Sequence, residues 1–164
     1  MNWLNLFSAK RFGASKSVPL AQTRSRFEQD YDRIIFSHPF RKLQDKTQVF
    51  PMPEDDFVHS RLTHSLEVAS VGRSLAKEVG KIILSENGAL RASGIKYQDF
   101  GDVVSAACLA HDLGNPPFGH SGEQSISSFF LNTEEGRFFE SRVKPDEWSD
   151  LINFEGNAQG FRIL

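Results

Sequence analysis

The stretch Ala107–Glu123 gathers most of the side chains in this chain that could do chemistry. An apolar run ends in His111-Asp112. A Gly/Pro turn follows, Gly114-Asn115-Pro116-Pro117-Phe118-Gly119, and it delivers His120 and Glu123. Imidazole and carboxylate together suit Mn, Fe, Co, Zn or Mg better than a soft metal. Neighbours on a helix differ by about 100° and do not share a face, yet at a helix end His111 and Asp112 can both lean toward one ion. His64, in Arg61-Leu62-Thr63-His64-Ser65, can supply the next ligand from a packed neighbour. The competing account makes His64 and His111 satisfied core histidines; it serves for either alone better than for the set. We read the whole as a divalent-metal phosphohydrolase site carried on helices.

The turn is built to be stiff. Asn115 precedes a proline and is held extended, Pro116 and Pro117 fix their φ values, and Gly114 and Gly119 allow tight bends on either side. Ser121 with Gln124 has capping-box form, which would put Glu123 in the first turn of the next helix beside His120. A carboxylate next to an imidazole orients it and raises its pKa, so the pair suits general acid–base work. A helix-start Glu serving only as dipole complement is the plainer alternative. Arg61 stands three residues before His64 and shares its helix face. With Arg41, Lys42 and Lys46 upstream it could meet phosphates, and Gln48 suits a sugar hydroxyl; solvation is the plain account of Lys42.

The elements that must position these groups read as helices. Ser25-Arg26-Phe27-Glu28 opens one, with Phe27, Tyr31, Ile34 and Ile35 at helical spacing. His38-Pro39 interrupts it, and a short helix through Phe40 and Leu43 follows. Gln48–Asp56 is a loop. Ser60–Leu84 is the longest helix, with an apolar stripe of Leu62, Leu66, Ala69, Leu75, Ala76, Val79, Ile82 and Ile83, and Gly72 permits close approach of another helix. Asn87–Gly94 is a polar break. Asp102–His111 is a buried helix, its alanines arguing against strand, and Gly114 ends it. Further helices run through Ile126, Phe129 and Phe130, from Pro145 through Ile152, and from Ala158 onward after a break at Gly156-Asn157. No stretch reads as a strand, and the fold class is all-α.

Composition sets the frame. The chain has 164 residues with 39% hydrophobic and 24% charged, enough for one globular domain with a real core. Fifteen phenylalanines imply an aromatic interior. Residues 1–24 form a basic arm without acids; it could attract phosphate or nucleic acid, or be a solvated tail. The single cysteine, Cys108, excludes an internal disulfide and reads as a packed small residue. No stretch approaches the roughly 20 apolar residues of a membrane span, and the cytoplasm is the expected compartment.

Arg61-Leu62-Thr63-His64-Ser65-Leu66-Glu67-Val68 and His111–Glu123 resemble the HD superfamily, and more closely its deoxyguanosine triphosphate triphosphohydrolases and related dNTPases. Asp32-Arg33-Ile34-Ile35, Phe40–Phe50 and Phe154-Glu155-Gly156-Asn157-Ala158-Gln159 agree with it. The resemblance covers residues 25–164 and implies an all-α HD bundle holding one divalent metal on His64, His111 and Asp112. Mg, Mn, Co, Fe, Ni and Zn are not distinguished. It implies cleavage of a dNTP, dGTP first, to deoxynucleoside and tripolyphosphate. His120 and Glu123 would be the acid–base pair, and Gln48, Arg61 and Asn115 would contact substrate. Asn115 stands where many relatives carry histidine. The family's fourth ligand is an aspartate on a later helix, which neither Asp146 nor Asp150 matches, so the chain reads as the N-terminal portion of such an enzyme. A homo-oligomer is expected, and single-stranded DNA is compatible with the basic arm. The alternatives are another HD nucleotidase or phosphodiesterase, or a part acting only in structure or assembly.

Overall fold

A computed structural model describes residues 2–11, 24–48 and 58–164. Residues 12–23 of the expected basic arm lie outside the described residues, as do 49–57, which include Val49, Phe50 and nearly all of the expected Gln48–Asp56 loop. The helices are α1 (Trp3–Leu6), α2 (Arg26–Phe36), α3 (His38–Arg41), α4 (Arg61–Glu86), α5 (Gly88–Ala92), α6 (Tyr97–Ala110), α7 (Gly119–Asn132), α8 (Glu134–Arg137), α9 (Pro145–Ile152) and α10 (Gly156–Ile163). Single 3-10 turns run over Lys42–Asp45 and Glu140–Arg142. Among the described residues there is no strand, only an isolated bridge between Thr47 and Ser60. The fold is all-α. No helix among the described residues is long and apolar enough to cross a membrane.

The chain divides into two compact units, Met1–Ser37 with Ser65–Leu109, and His38–His64 with Ala110–Leu164. In the first, Ser25 caps α2, its hydroxyl accepting from the Glu28 N–H at 3.0 Å. Phe100, Ala76 and Leu90 form a buried cluster joined by Trp3, Phe7, Ile83, Leu84 and Ile95. The Phe7 ring lies 4.4 Å from Phe100, so the chain's start is packed where its aromatic rings find a partner. Leu90 belongs to α5, a turn of helix inside the stretch whose polarity suggests only a break. Gly80 lets the Phe100 ring against the α4 backbone, since a Cβ there would come within 2.8 Å of it. Gly72 does the same for Cys108, whose Sγ would be 2.7 Å from such a Cβ.

The expected stripe on α4 is only partly the buried one. Ala69 and Ala76 are buried, whereas Leu66, Leu75, Val79 and Ile82 are exposed. The buried face is made of small residues, Ser65, Ala69, Ala76 and Gly80, with Gly72 half-buried beside them, and close backbone approach fills the space that larger side chains would occupy.

In the second unit Leu43 and Phe40 are buried. The Phe130 ring of α7 packs edge-on against Phe139 and Trp148 at 6.1 and 6.2 Å. Helix α7 begins at Gly119, earlier than the Ser121-Gln124 pattern suggests, and Phe118 occupies the N-cap without a side-chain hydrogen bond. The reason lies in the turn: the Gly119 N–H donates to the Pro116 carbonyl at 3.3 Å and sends the chain straight into helix. Gly156 likewise begins α10 instead of breaking it, because the Glu155 carboxylate accepts from the Asn157 and Ala158 N–H groups.

Candidate metal centre

The first turn of α4 and the turn after α6, both in the second unit, supply the donors. Ligating atoms of His64, His111 and Asp112 all lie within 4.8 Å of one another, and the two imidazole centroids are 5.4 Å apart. Two donors sharing an ion at about 2.1 Å are at most about 4.2 Å apart, so small side-chain rotations close the set. Asp112 is 4% exposed. Its Oδ1 accepts from Arg61 Nη1 at 2.9 Å and from Asn115 Nδ2 at 2.5 Å. Its Oδ2 is buried, finds no hydrogen-bond partner among the described residues, and lies 3.6 Å from His111 Nε2. A buried carboxylate oxygen left unpaired is costly, and a cation beside two imidazoles is the partner its chemistry fits. Among the described residues no further His, Cys, Asp or Glu joins this group; Asp150 instead pairs with Arg162 at 3.2 Å.

Beside the cluster is a cavity of about 610 Å³ lined by Gln48, Arg61, Asn115, Phe118 and His120, among others. This is a size typical of small-molecule sites. Arg61, 8% exposed, touches both the cluster and the cavity, and its Nε has no hydrogen-bond partner among the described residues. Gln48 Oε1 is likewise buried without one. Phe118 is a non-glycine residue at φ 65°, exposed on the cavity wall, a strained backbone of the kind that gathers at binding sites.

His120 and Glu123 meet one helical turn apart, Nδ1 to Oε2 at 2.7 Å. The other carboxylate oxygen of Glu123 accepts from the Gly156 N–H at 2.7 Å. These two bonds, His120 first, hold the Glu123 carboxyl below its ordinary pKa. Glu123 thus stays an anion that keeps Nδ1 of His120 engaged and leaves Nε2 facing outward, the imidazole being 94% exposed.

Two partners escape a reading of residue types. Lys46, one of the upstream basic residues, donates to the Asn115 carbonyl at 2.6 Å. Burial, then the charges of Arg61 and Lys42, pull its pKa down. Gly156 acts through its backbone N–H, and the only signal for it is a glycine after a capping Glu. A Cβ on Gly114 would fall 2.1 Å from the Gly156 carbonyl and the Gly160 nitrogen, so the turn and α10 touch backbone to backbone.

A family model described as HD domain matches residues 61–154, which contain His64, His111, Asp112, His120 and Glu123. The chain belongs to the HD-domain family. It is 48% identical over 165 residues to a deoxyguanosinetriphosphate triphosphohydrolase-like protein of Synechocystis, covering all of this chain and 37% of that protein. The corresponding protein of Pseudomonas aeruginosa (strain LESB58) is 48% identical over 164 residues, again covering the whole of this chain and 36% of its own length. A deoxyguanosinetriphosphate triphosphohydrolase of Cronobacter sakazakii is 42% identical over 163 residues, covering 84% of this chain and 32% of that protein. The chain thus spans about a third of the length of these relatives.

Proposed function

We propose that this chain carries the metal-binding and acid–base portion of a phosphohydrolase acting on deoxynucleoside triphosphates, dGTP first, with deoxynucleoside and tripolyphosphate as products. The observation that carries the reading is Arg61, which joins the buried carboxylate of the His64, His111, Asp112 cluster to the cavity wall. The names of the relatives support the substrate class.

His64, His111 and Asp112 would hold one divalent ion, which when bound supplies Lewis-acid stabilisation of charge on a phosphoryl oxygen. Arg61 places the rest of its guanidinium toward the cavity, where it meets phosphate oxygens and offsets the charge that develops on them. Gln48 offers its buried carbonyl oxygen to a sugar hydroxyl. Glu123 fixes the His120 ring through Nδ1, so that Nε2 takes or gives the proton.

Incubation with dGTP and Mn²⁺, followed by separation of products, tests this. Tripolyphosphate and deoxyguanosine should appear, and both should vanish for His111→Ala and Asp112→Ala. His120→Ala should cost about 10²–10⁴-fold in turnover, the usual worth of a positioned acid–base group. Release of phosphate or pyrophosphate instead would move the chain to the nucleotidases or phosphodiesterases. Product formation that ignores His111→Ala would end the proposal.

A further inference from the structure

We propose that Asn115 is a positioning residue for the metal cluster: its side-chain amide selects which oxygen of Asp112 is offered for coordination. The inference rests on the reading of His64, His111 and Asp112 as ligands. A carboxylate turns easily about its last torsion, and its two oxygens are chemically alike. Here they are made unlike. Oδ1 takes two donors, Arg61 Nη1 at 2.9 Å and Asn115 Nδ2 at 2.5 Å. Oδ2 takes none among the described residues and lies toward His111.

Asn115 is itself tied down. Its carbonyl accepts from Lys46 Nζ at 2.6 Å. Its peptide bond leads into Pro116, which restricts its own backbone. Its Oδ1 occupies the place where a Cβ on Gly156 would come within 2.1 Å, so only a glycine leaves room for it. A flipped amide would set oxygen against oxygen at Asp112. The amide can therefore act as a fixed donor, and Asn115 touches the chemistry through Asp112. Groups that orient a ligand in this way commonly govern metal affinity.

The test is Mn²⁺ binding to the whole chain, measured by titration calorimetry, for the unsubstituted protein, His111→Ala, Asn115→Ala and Asn115→Leu. Leucine keeps the approximate size of asparagine and removes the donor. Both Asn115 variants should bind Mn²⁺ about 10–100-fold more weakly, with far-ultraviolet circular dichroism unchanged. Unaltered affinity in a folded Asn115 variant, while His111→Ala abolishes binding, overturns this inference alone. Binding in the unsubstituted chain no tighter than in His111→Ala overturns the metal reading and this inference with it. If neither Asn115 variant folds, the side-chain amide of Asn115 decides by nuclear magnetic resonance in the unsubstituted chain. Two inequivalent, exchange-protected protons that shift on adding Mg²⁺ support the role; rapid exchange or indifference to Mg²⁺ overturns it.

Discussion

At Gly156 a single methyl group decides whether the His120–Glu123 pair can be held. An added Cβ would stand 2.1 Å from Asn115 Oδ1 and 2.8 Å from Glu123 Oε1. Neither neighbour can withdraw freely, because Asn115 is tied to Asp112 and Glu123 to His120. Overpacking of this kind costs about 1–3 kcal/mol. Gly156→Ala should therefore lower thermal stability by about that much and break the bond from the Gly156 N–H to Glu123. A melting temperature equal to that of the unsubstituted chain would show that α10 can shift at no cost. By comparison, Gly122 lies against the Pro117 carbonyl, 2.0 Å from where its Cβ would be, so the same turn meets backbone on both sides.

Among the elements, two glycines on α4 separate effects that a sequence pattern merges. Alanine gains about 1 kcal/mol over glycine inside a helix. At Gly80 that gain is opposed by the Phe100 side chain, two ring atoms and the Cβ of which lie within 3.0 Å of the new Cβ. At Gly72 the near contact under 3.0 Å is Cys108 Sγ alone. Chemical denaturation should show Gly80→Ala destabilised and Gly72→Ala near neutral; equal effects would mean that Phe100 does not define this crossing. The length of α4 was legible in its apolar spacing, and the cap at Ser25 and the helix start at Pro145 in their residue types. Which face of α4 is buried was not, since the helix is apolar on several sides and close approach selects the small one. Carboxylates also hold the start of α10, Glu123 reaching it from α7 and Glu155 capping it locally. Glu123 is held below its ordinary pKa by His120 and Gly156, and Glu155 by the Ala158 and Asn157 N–H groups. A depressed carboxyl gives stability that is complete above the unfolded pKa of about 4.3 and is lost as pH falls through the lower folded value. Asp102, raised by burial, runs the other way. Melting curves below about pH 4.3 should therefore fall less steeply for Glu155→Gln than for the unsubstituted chain, and parallel curves would refute the link.

For the whole molecule the question is what draws distant parts of the chain to one point. Histidine and aspartate types made the cluster legible in outline, because imidazole and carboxylate together are donors that suit one divalent ion. Their orientation was not legible. It depends on the Arg61–Asp112 pair, on Lys46 holding a carbonyl and on glycine backbones, none of which residue type announces. In the unfolded chain His64 and His111 are separated by a long loop whose closure costs entropy, so an ion that needs both binds the folded state alone. Such a ligand stabilises by about 2.7 kcal/mol at a hundred times its dissociation constant, which for a chain of this size is a rise on the order of 5–11 °C. Mn²⁺ should raise the melting temperature to that extent, and a chelator should return it to the metal-free value. His64→Ala and Asp112→Ala, one from each segment, should each remove the rise while leaving a folded baseline to compare. A rise that persists in either variant would place the ion elsewhere, and the convergence of the two segments would then need an explanation other than a shared cation.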